Sequence, residues 1–172
     1  AEYQPERGMP GRLVDAGGLL LHLHCMGAGG PADVFEAALG GSSISWSLIQ
    51  PDVSRLTRAC SYDRAGFGWS DAGPMPRTAG RAADELRVLL ERGGVAPPFV
   101  LVGHSFGGLV MRIFAARYRD DVSGLVLVDP AGPAGDPANW QASANLHGSP
   151  GGPGGFFVRD IVINEVLAHT DP

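Results

Sequence analysis

The sequence predicts an α/β fold built around a mostly parallel sheet. Two observations lead to this prediction. Short apolar runs of strand length alternate with segments whose apolar residues recur at helical spacing, up to about residue 128. The runs Phe99–Val102 and Leu125–Val128 are continuously apolar, as in parallel strands that helices cover on both faces. With 172 residues, of which 44% are apolar and 18% charged, the chain is long enough for one globular core.

The first elements are expected to pair with one another. Strands are predicted at Leu13–Ala16 and Leu19–Cys25, and the two glycines between them suit a tight hairpin. A weaker apolar run, Val34–Leu39, ends in a glycine- and serine-rich loop, and Ser45–Leu56 then shows helical spacing. We therefore expect an antiparallel pair followed by a strand, a loop and a helix.

The middle of the chain continues the alternation of strand and helix. Ala59–Tyr62 is a short predicted strand that leads into a glycine-rich loop. A helix is then predicted from a Thr78 N-cap to a stop at Gly93-Gly94, because its apolar residues form one stripe. A second helix, Phe106–Tyr118, separates the two continuously apolar strands.

Charge and hydropathy argue against two kinds of partner. The chain has 13 arginines, no lysine, 18 acidic residues and a net charge of -5, with no run of like charges. Nucleic acid is therefore not expected as a partner. No stretch approaches the roughly 20 apolar residues that span a bilayer. The chain begins with alanine and without an apolar leader, so we expect an N-terminal piece to have been removed; cytoplasmic and exported locations both stay open.

The motif Gly-x-Ser-x-Gly at residues 103–107 is the strongest functional signal in the chain. It lies where the apolar strand ending at Val102 meets the helix that begins at Phe106. Small residues on either side allow a turn tight enough to expose a serine hydroxyl above the sheet edge. The pattern predicts that Ser105 is a nucleophile at the carboxyl end of a strand, where open α/β sheets bind ligands.

Two backbone amides are predicted to bind the oxyanion of a tetrahedral intermediate. The helix after Ser105 presents its N-terminal amides and a partial positive charge, which favours the Phe106 amide. The glycine-rich loop after the third strand supplies the second donor in our interpretation, with Gly41 preferred slightly over Gly40. A turn that needs glycine for its shape alone explains that loop equally well.

The sequence resembles the α/β-hydrolase superfamily, in its esterase-like serine hydrolase branch, from about Gly11 to Pro130. The resemblance is carried by the motifs at residues 103–108, 61–71, 40–46 and 125–130. It implies a sheet in the order 1-2-4-3-5-6, flanked by helices, with the first six strands present. It also implies attack on acyl carbonyls, because relatives that cleave carbon–halogen bonds or epoxides carry aspartate in place of the serine.

The same resemblance implies that the chain ends early in the fold. Residues 1–130 correspond to the core, and residues 131–172 to the beginning of a cap, with a glycine- and proline-rich loop at 148–155 and one apolar helix over Phe156–Ala168. The seventh and eighth strands are expected to be absent. A sheet that stops at its sixth strand exposes an apolar edge, so we expect self-association through that edge.

Neither partner of a Ser–acid–His triad is identified by motif, since the family places both beyond the cap. Asp129 follows the sixth strand, where a few relatives place the acid, and His169 lies near the end of the chain; both are weak candidates for acid and base. His147 is a weaker one. His104 precedes the nucleophile and is expected to pack.

Several other polar and aromatic residues allow both a structural and a functional interpretation. His22 and His24 share one face of a strand, but two ligands without a third favour a structural role over a metal. Asp63 and Arg64 are expected to tie down the loop that they begin. The aromatic residues either line an acyl pocket or pack in the core; they are Trp46, Phe67, Trp69 and Phe106.

Cys25 and Cys60 are too few for a disulfide scaffold, and two buried free thiols are the favoured interpretation. A bridge stays open, because the implied strand order places their strands side by side, within reach of the usual Cα separation of about 5.5 Å.

These observations together predict a serine hydrolase that acts on carboxylic esters or similar small acyl substrates through an acyl-enzyme on Ser105. No cofactor or metal is expected. Two alternatives stay open: a catalytically incomplete domain that binds a small apolar ligand, and an acyltransferase on the same scaffold.

Overall fold

The computed structural model describes residues 8–131 and the backbone of the segment 157–161. Seven strands form one sheet in these residues: β1 (Arg12–Asp15), β2 (Leu20–Met26), β3 (Ala32–Glu36), β4 (Ala59–Tyr62), β5 (Phe99–His104), β6 (Val122–Val128) and β7 (Phe157–Ile161). Their order across the sheet is β1-β2-β4-β3-β5-β6-β7. The order of the first six strands confirms the predicted one.

Among the described strands, β2 alone runs against the others. β1 pairs with β2 and β2 with β4 in antiparallel fashion, whereas β4, β3, β5, β6 and β7 are all parallel. The first pair is the predicted hairpin. Gly17 and Gly18 turn it with φ of 91° and 88°, values that L side chains rarely adopt.

Helices α2 (Ala79–Arg92) and α3 (Phe106–Arg117) are close to their predicted bounds. The Thr78 hydroxyl caps α2 by accepting a hydrogen bond from the Arg81 amide at 3.2 Å. The helix predicted over 45–56 is instead a 3₁₀ turn (Ser43–Trp46) and a short helix α1 (Gln50–Val53). Pro51 explains the break, because proline is accepted only in the first turn of a helix.

The core has two parts, one on each face of the sheet. The larger packs α2 and α3 against alternate residues of the central strands, such as Val34 and Leu101. The smaller, on the opposite face, joins Phe35 and Trp46, whose rings lie 5.0 Å apart. No helix in residues 8–131 has the length and apolar character that crossing a membrane requires.

β7 corrects the prediction for the segment after the core. The sequence predicted a helix over 156–168, but Phe157–Ile161 is a strand parallel to β6, with Gly124 opposite Phe157. A short apolar run fits either state by periodicity, and a content of aromatic and β-branched residues favours a strand. A seventh strand is therefore present where none was expected, and the edge of β6 is not exposed as predicted. Self-association stays a prediction. The proposed loop at 148–155 and the rest of the proposed helix lie outside the described residues.

Cys25 and Cys60 form a disulfide, so the favoured interpretation as free thiols is wrong. The two residues lie directly opposite each other in the antiparallel pair β2–β4. Their Cα atoms are 4.1 Å apart, within the range that close antiparallel neighbours reach. Strand register, which composition does not reveal, decides the pairing.

Reduction of this disulfide is expected to lower the free energy of unfolding by about 2–4 kcal/mol, because the bridge closes a long loop in the unfolded chain. The bridge joins residues 35 positions apart in the sequence. Urea unfolding with and without reductant measures the effect, and the Cys25→Ser/Cys60→Ser variant is the control that reductant does not change. An unfolding midpoint that reductant leaves unmoved in the unsubstituted chain would contradict the prediction.

Candidate active site

Ser105 occupies a strained turn between β5 and α3. Its backbone has φ 51° and ψ -119°, a conformation rare for any residue but glycine. Such a backbone costs on the order of 1–3 kcal/mol and persists where the surroundings enforce it. The side chain is half-buried at the carboxyl end of β5, in the position that the motif predicts for a nucleophile.

The glycines around Ser105 are required by close packing. A Cβ atom on Gly103 would lie 2.7 Å from the carbonyl oxygen of Gly107 and from the Cα of Gly108. A Cβ on Gly107 would lie 2.5 Å from the Glu36 carbonyl oxygen and 2.7 Å from that of Ala37. The first turn of α3 therefore packs directly on β5 and on the end of β3, which leaves room for no side chain at these positions.

The end of β6 holds the other side of the turn. The Ser105 amide donates to the Val128 carbonyl at 3.0 Å, and the Ala131 amide donates to the Ser105 carbonyl at 2.8 Å. Asp129, between these two contacts, has φ 41°, also in the left-handed region. Its side chain is exposed. Asp129 thus lies on a strained loop beside Ser105, and its role as acid stays a prediction.

The predicted oxyanion donors lie on two segments that meet near Ser105. Phe106 is the first residue of α3, so its amide has no acceptor within the helix. The Gly41 amide donates to the Ala38 carbonyl at 2.9 Å in the turn after β3. The Gly41 amide must release that bond before it can donate to a substrate oxygen, and its role as an oxyanion donor stays a prediction.

A buried ion pair lies beneath this loop. Glu36 and Arg64 are 1% and 5% exposed, and the guanidinium donates to the Glu36 carboxylate, which also accepts from the Tyr62 hydroxyl. Burial raises the pKa of Glu36 to about 8, and the Arg64 charge opposes part of that shift. Arg64 also donates to the carbonyls of Ala37 and Ala38, each at 2.7 Å.

Asp63 ties its loop to the rest of the core, as predicted. It accepts from the Ser43 amide at 2.6 Å and the Trp69 amide at 3.0 Å, and it pairs with His22 Nδ1 at 3.1 Å. Nε2 of His22 bonds the Pro10 carbonyl oxygen. His22 is therefore a fully buried structural residue. In residues 8–131 no group of three potential metal-ligating side chains is present.

The His22–Asp63 pair predicts a pH dependence of stability. Burial alone would lower the pKa of His22, but the hydrogen bonds to Asp63 and the Pro10 carbonyl outweigh it and hold the pKa above 6.5. The folded state then binds this proton more tightly than the unfolded state. The stabilisation is complete below pH 6.5 and is lost as pH rises through the raised pKa.

An NMR titration of the His22 imidazole tests this dependence, together with urea unfolding of the chain and a His22→Gln variant across pH 5–9. The unsubstituted chain should lose stability relative to the variant as pH rises above 6.5. An imidazole that titrates at or below 6.5 would contradict the account.

The structure separates the four aromatic residues considered for an acyl pocket. Trp46 packs in the smaller core, and the Trp69 ring lies 4.8 Å from His22. Phe67 and Phe106 instead flank the Arg64 guanidinium at 4.9 and 5.4 Å from its central carbon. Phe106 directly follows Ser105, and Phe67 packs against the same guanidinium as Phe106.

The described histidines do not include one that hydrogen-bonds the Ser105 hydroxyl. His22 is committed to other partners, and His24 and His104 are partly buried without a bond to Ser105. The candidates His147 and His169 lie outside the described residues. Within residues 8–131, the candidate site therefore comprises Ser105 and the backbone amides that are predicted to act as donors.

Glu36 and Tyr62 were missed by sequence reasoning. A carboxylate inside the apolar run that forms β3 was the available signal, since a buried charge requires a partner. That partner, Arg64, lies 28 positions further along the chain. Only the parallel pairing of β3 with β4 brings the two together.

Comparisons with known proteins agree with the fold. The model of the alpha/beta hydrolase fold family matches residues 20–150. The chain therefore belongs to the alpha/beta hydrolase fold family.

Among curated proteins, the chain is 38% identical over 108 residues to the uncharacterized protein YqjL of Bacillus subtilis, a match that covers 63% of this chain and 43% of that protein. It is 33% identical over 102 residues to a (lyso)-N-acylphosphatidylethanolamine lipase of Bos taurus, covering 58% of this chain and 30% of the lipase. The chain thus spans less than half the length of these relatives.

Solved structures show the same partial overlap. A thermophilic esterase from Thermogutta terrifontis superposes with a TM-score of 0.64 at 27% identity, covering 74% of this chain and 47% of the esterase. The enol-lactonase from Burkholderia xenovorans LB400 superposes with a TM-score of 0.66 at 26% identity, covering 81% of this chain and 54% of the lactonase.

Proposed function

We propose that the chain carries the nucleophile and oxyanion donors of a serine hydrolase that acts on carboxylic esters or similar small acyl substrates. The observation that carries this proposal is the strained backbone of Ser105 at the carboxyl end of β5. Backbone strain of this kind, which lowers the stability of the folded state, is retained at sites where it exposes a reacting group. The lipase, esterase and lactonase named above support an acyl substrate.

In the proposed reaction the Ser105 oxygen attacks the acyl carbonyl and the alcohol leaves, so that an acyl-enzyme forms. The developing oxyanion is stabilised by the Phe106 amide and the N-terminal end of α3. Gly41 provides the second amide once it leaves the Ala38 carbonyl. Asp129 and His169 remain the proposed acid and base that would activate the hydroxyl.

A second candidate function is favoured by one observation, the lack of a Ser105-bonded histidine in residues 8–131. The second candidate is a domain that binds a small apolar ligand and does not convert it to product. An acyltransferase on the same scaffold differs from the hydrolase only in the acceptor of the acyl group.

Hydrolysis of p-nitrophenyl esters with acyl chains from acetate to octanoate tests the proposal. We expect Ser105-dependent release of p-nitrophenol, which the Ser105→Ala variant reduces to background. Ser47→Ala, which removes an exposed hydroxyl after the loop at 40–43, is the matched control and should keep the rate. Equal rates for the unsubstituted chain and Ser105→Ala would favour the ligand-binding function instead.

A further inference from the structure

Arg64 contacts both backbone segments on which the proposed oxyanion site depends. One guanidinium nitrogen donates to the Ala37 carbonyl and the other to the Ala38 carbonyl, each at 2.7 Å. The central carbon of the same guanidinium lies 5.4 Å from the centre of the Phe106 ring. A single side chain thus touches the loop after β3 and the residue that follows Ser105.

The two carbonyl contacts orient the loop. Each carbonyl belongs to a planar peptide whose N–H, on the next residue, points the opposite way. Holding the Ala37 and Ala38 carbonyls therefore sets the direction of the Ala38 and Leu39 amides, at the start of the loop that carries Gly41. A planar guanidinium can hold both carbonyls and the Glu36 carboxylate at once. A lysine ammonium, as a single point charge, does not reproduce this fork.

The Ala38 carbonyl has two donors, Arg64 at 2.7 Å and the Gly41 amide at 2.9 Å. When Gly41 turns its amide toward a substrate oxygen, Arg64 remains bonded to that carbonyl. The Ala38 carbonyl therefore keeps a donor. A carbonyl left without one would oppose the rotation of the Gly41 amide. Gly40, with φ 80° and open space where a Cβ would stand, permits the peptide between residues 40 and 41 to rotate.

Glu36 holds Arg64 in this position. The carboxylate is almost fully buried, pairs with the guanidinium and accepts from the Tyr62 hydroxyl. Its own carbonyl oxygen lies against Gly107, in the first turn of α3. The ion pair is thus built into the contact between β3 and the turn that carries Ser105.

We propose that Arg64 is a positioning residue of the oxyanion site, which holds the 37–41 loop beside the Phe106 amide and allows Gly41 to release its internal hydrogen bond. This inference rests on the proposed function, because it assigns Arg64 a role in stabilising charge on a substrate bound at Ser105. Arg64 itself does not touch the reacting atoms.

Kinetics of Ser105 phosphonylation by a fluorophosphonate probe test the proposal, because this reaction also develops negative charge on an oxygen beside Ser105. Arg64→Lys is expected to lower the rate constant at saturating probe by about tenfold to a hundredfold, as for a displaced oxyanion donor. The probe concentration at half-saturation should stay within about twofold. Arg77→Lys is the matched control, since Arg77 also forms an ion pair, with Glu85, and its side-chain hydrogen bonds in the described residues go to Glu85 and not to the 37–41 loop.

A purely structural role would lower the folded fraction without changing the saturating rate constant of the folded protein. An unchanged rate constant in Arg64→Lys, or an equal loss in Arg77→Lys, overturns the proposal. Where Arg64→Lys does not fold, Glu36→Gln replaces it; this variant should also lower the rate constant, and an unchanged value overturns the proposal.

Hydrogen exchange of the peptide over residues 37–42, measured in a Ser105→Ala background, keeps the two proposals distinguishable. Because no reaction occurs in this background, faster exchange in Arg64→Lys than in Arg77→Lys would show that Arg64 orders the loop independently of Ser105. Equal exchange in the two variants would overturn the proposal that Arg64 orders the loop. A chain that the probe does not label overturns the function of Ser105, and with it the oxyanion role, whatever the exchange result.

Discussion

Gly107→Ala is expected to lower the free energy of unfolding by about 1–3 kcal/mol, the cost of forcing an extra carbon into a well-packed site. The added Cβ would stand 2.5 Å from the Glu36 carbonyl oxygen and 2.7 Å from that of Ala37. Both are backbone atoms, so α3 and the end of β3 must move apart. The same movement separates the Phe106 amide from the 37–41 loop, and we expect probe labelling of Ser105 to slow as well.

Gly80→Ala is the matched control, because Gly80 is the second residue of α2 as Gly107 is of α3. The nearest atom to a Cβ on Gly80 is Nη2 of Arg117 at 2.9 Å, the far end of a flexible side chain. Alanine favours a helix by up to about 1 kcal/mol over glycine. Urea unfolding should therefore give opposite signs for the two variants, and a Gly107→Ala chain as stable as the unsubstituted one would contradict the packing account.

Above pH 8, where Glu36 is ionised in the unsubstituted chain, Arg64→Met is expected to lower the free energy of unfolding by about 3–5 kcal/mol, because it leaves Glu36 buried without its charge partner. Arg77→Met should cost only about 1 kcal/mol or less, since the Arg77–Glu85 pair is more exposed, at 24% and 16%. The double variant Glu36→Gln/Arg64→Met, which buries no charge, should be more stable than Arg64→Met alone.

The pH dependence of these variants identifies the cause. In the unsubstituted chain the pKa of Glu36 is about 8, above its ordinary value of 4.5, so the folded state binds this proton more tightly and stability falls as pH rises from 4.5 to 8. Without Arg64 the pKa rises further. The fall should then continue above pH 8 in Arg64→Met, at up to about 1.4 kcal/mol per pH unit, and vanish in the double variant. Denaturant titrations between pH 5 and 9 measure it, and parallel curves for the three chains would contradict this explanation.

Local signals in the sequence were enough to predict most of the fold. The helix from Thr78 to Gly93 has its cap, its apolar stripe and its stop within one segment, and the turn at Ser105 combines an apolar strand, two glycines and a helix in a few residues. The strand order followed from the family resemblance, and the family match over residues 20–150 supports it.

Features that depend on distant pairing were not predictable in the same way. The Cys25–Cys60 bridge needs the register of β2 against β4, and the Glu36–Arg64 pair needs β3 beside β4. β7 is a strand because β6 offers an edge to pair with, which the periodicity of its own residues does not reveal. The base of a catalytic triad also comes from a part of the chain that is distant in sequence from the nucleophile. It therefore cannot be deduced from the residues near Ser105.

The most direct test of the central claim is to incubate the 172-residue chain with a fluorophosphonate, digest it and locate the adduct by peptide mass spectrometry. The account predicts one adduct, on Ser105, which is absent from Ser105→Ala. A folded chain that remains unlabelled, or an adduct on another serine that persists in Ser105→Ala, would contradict it.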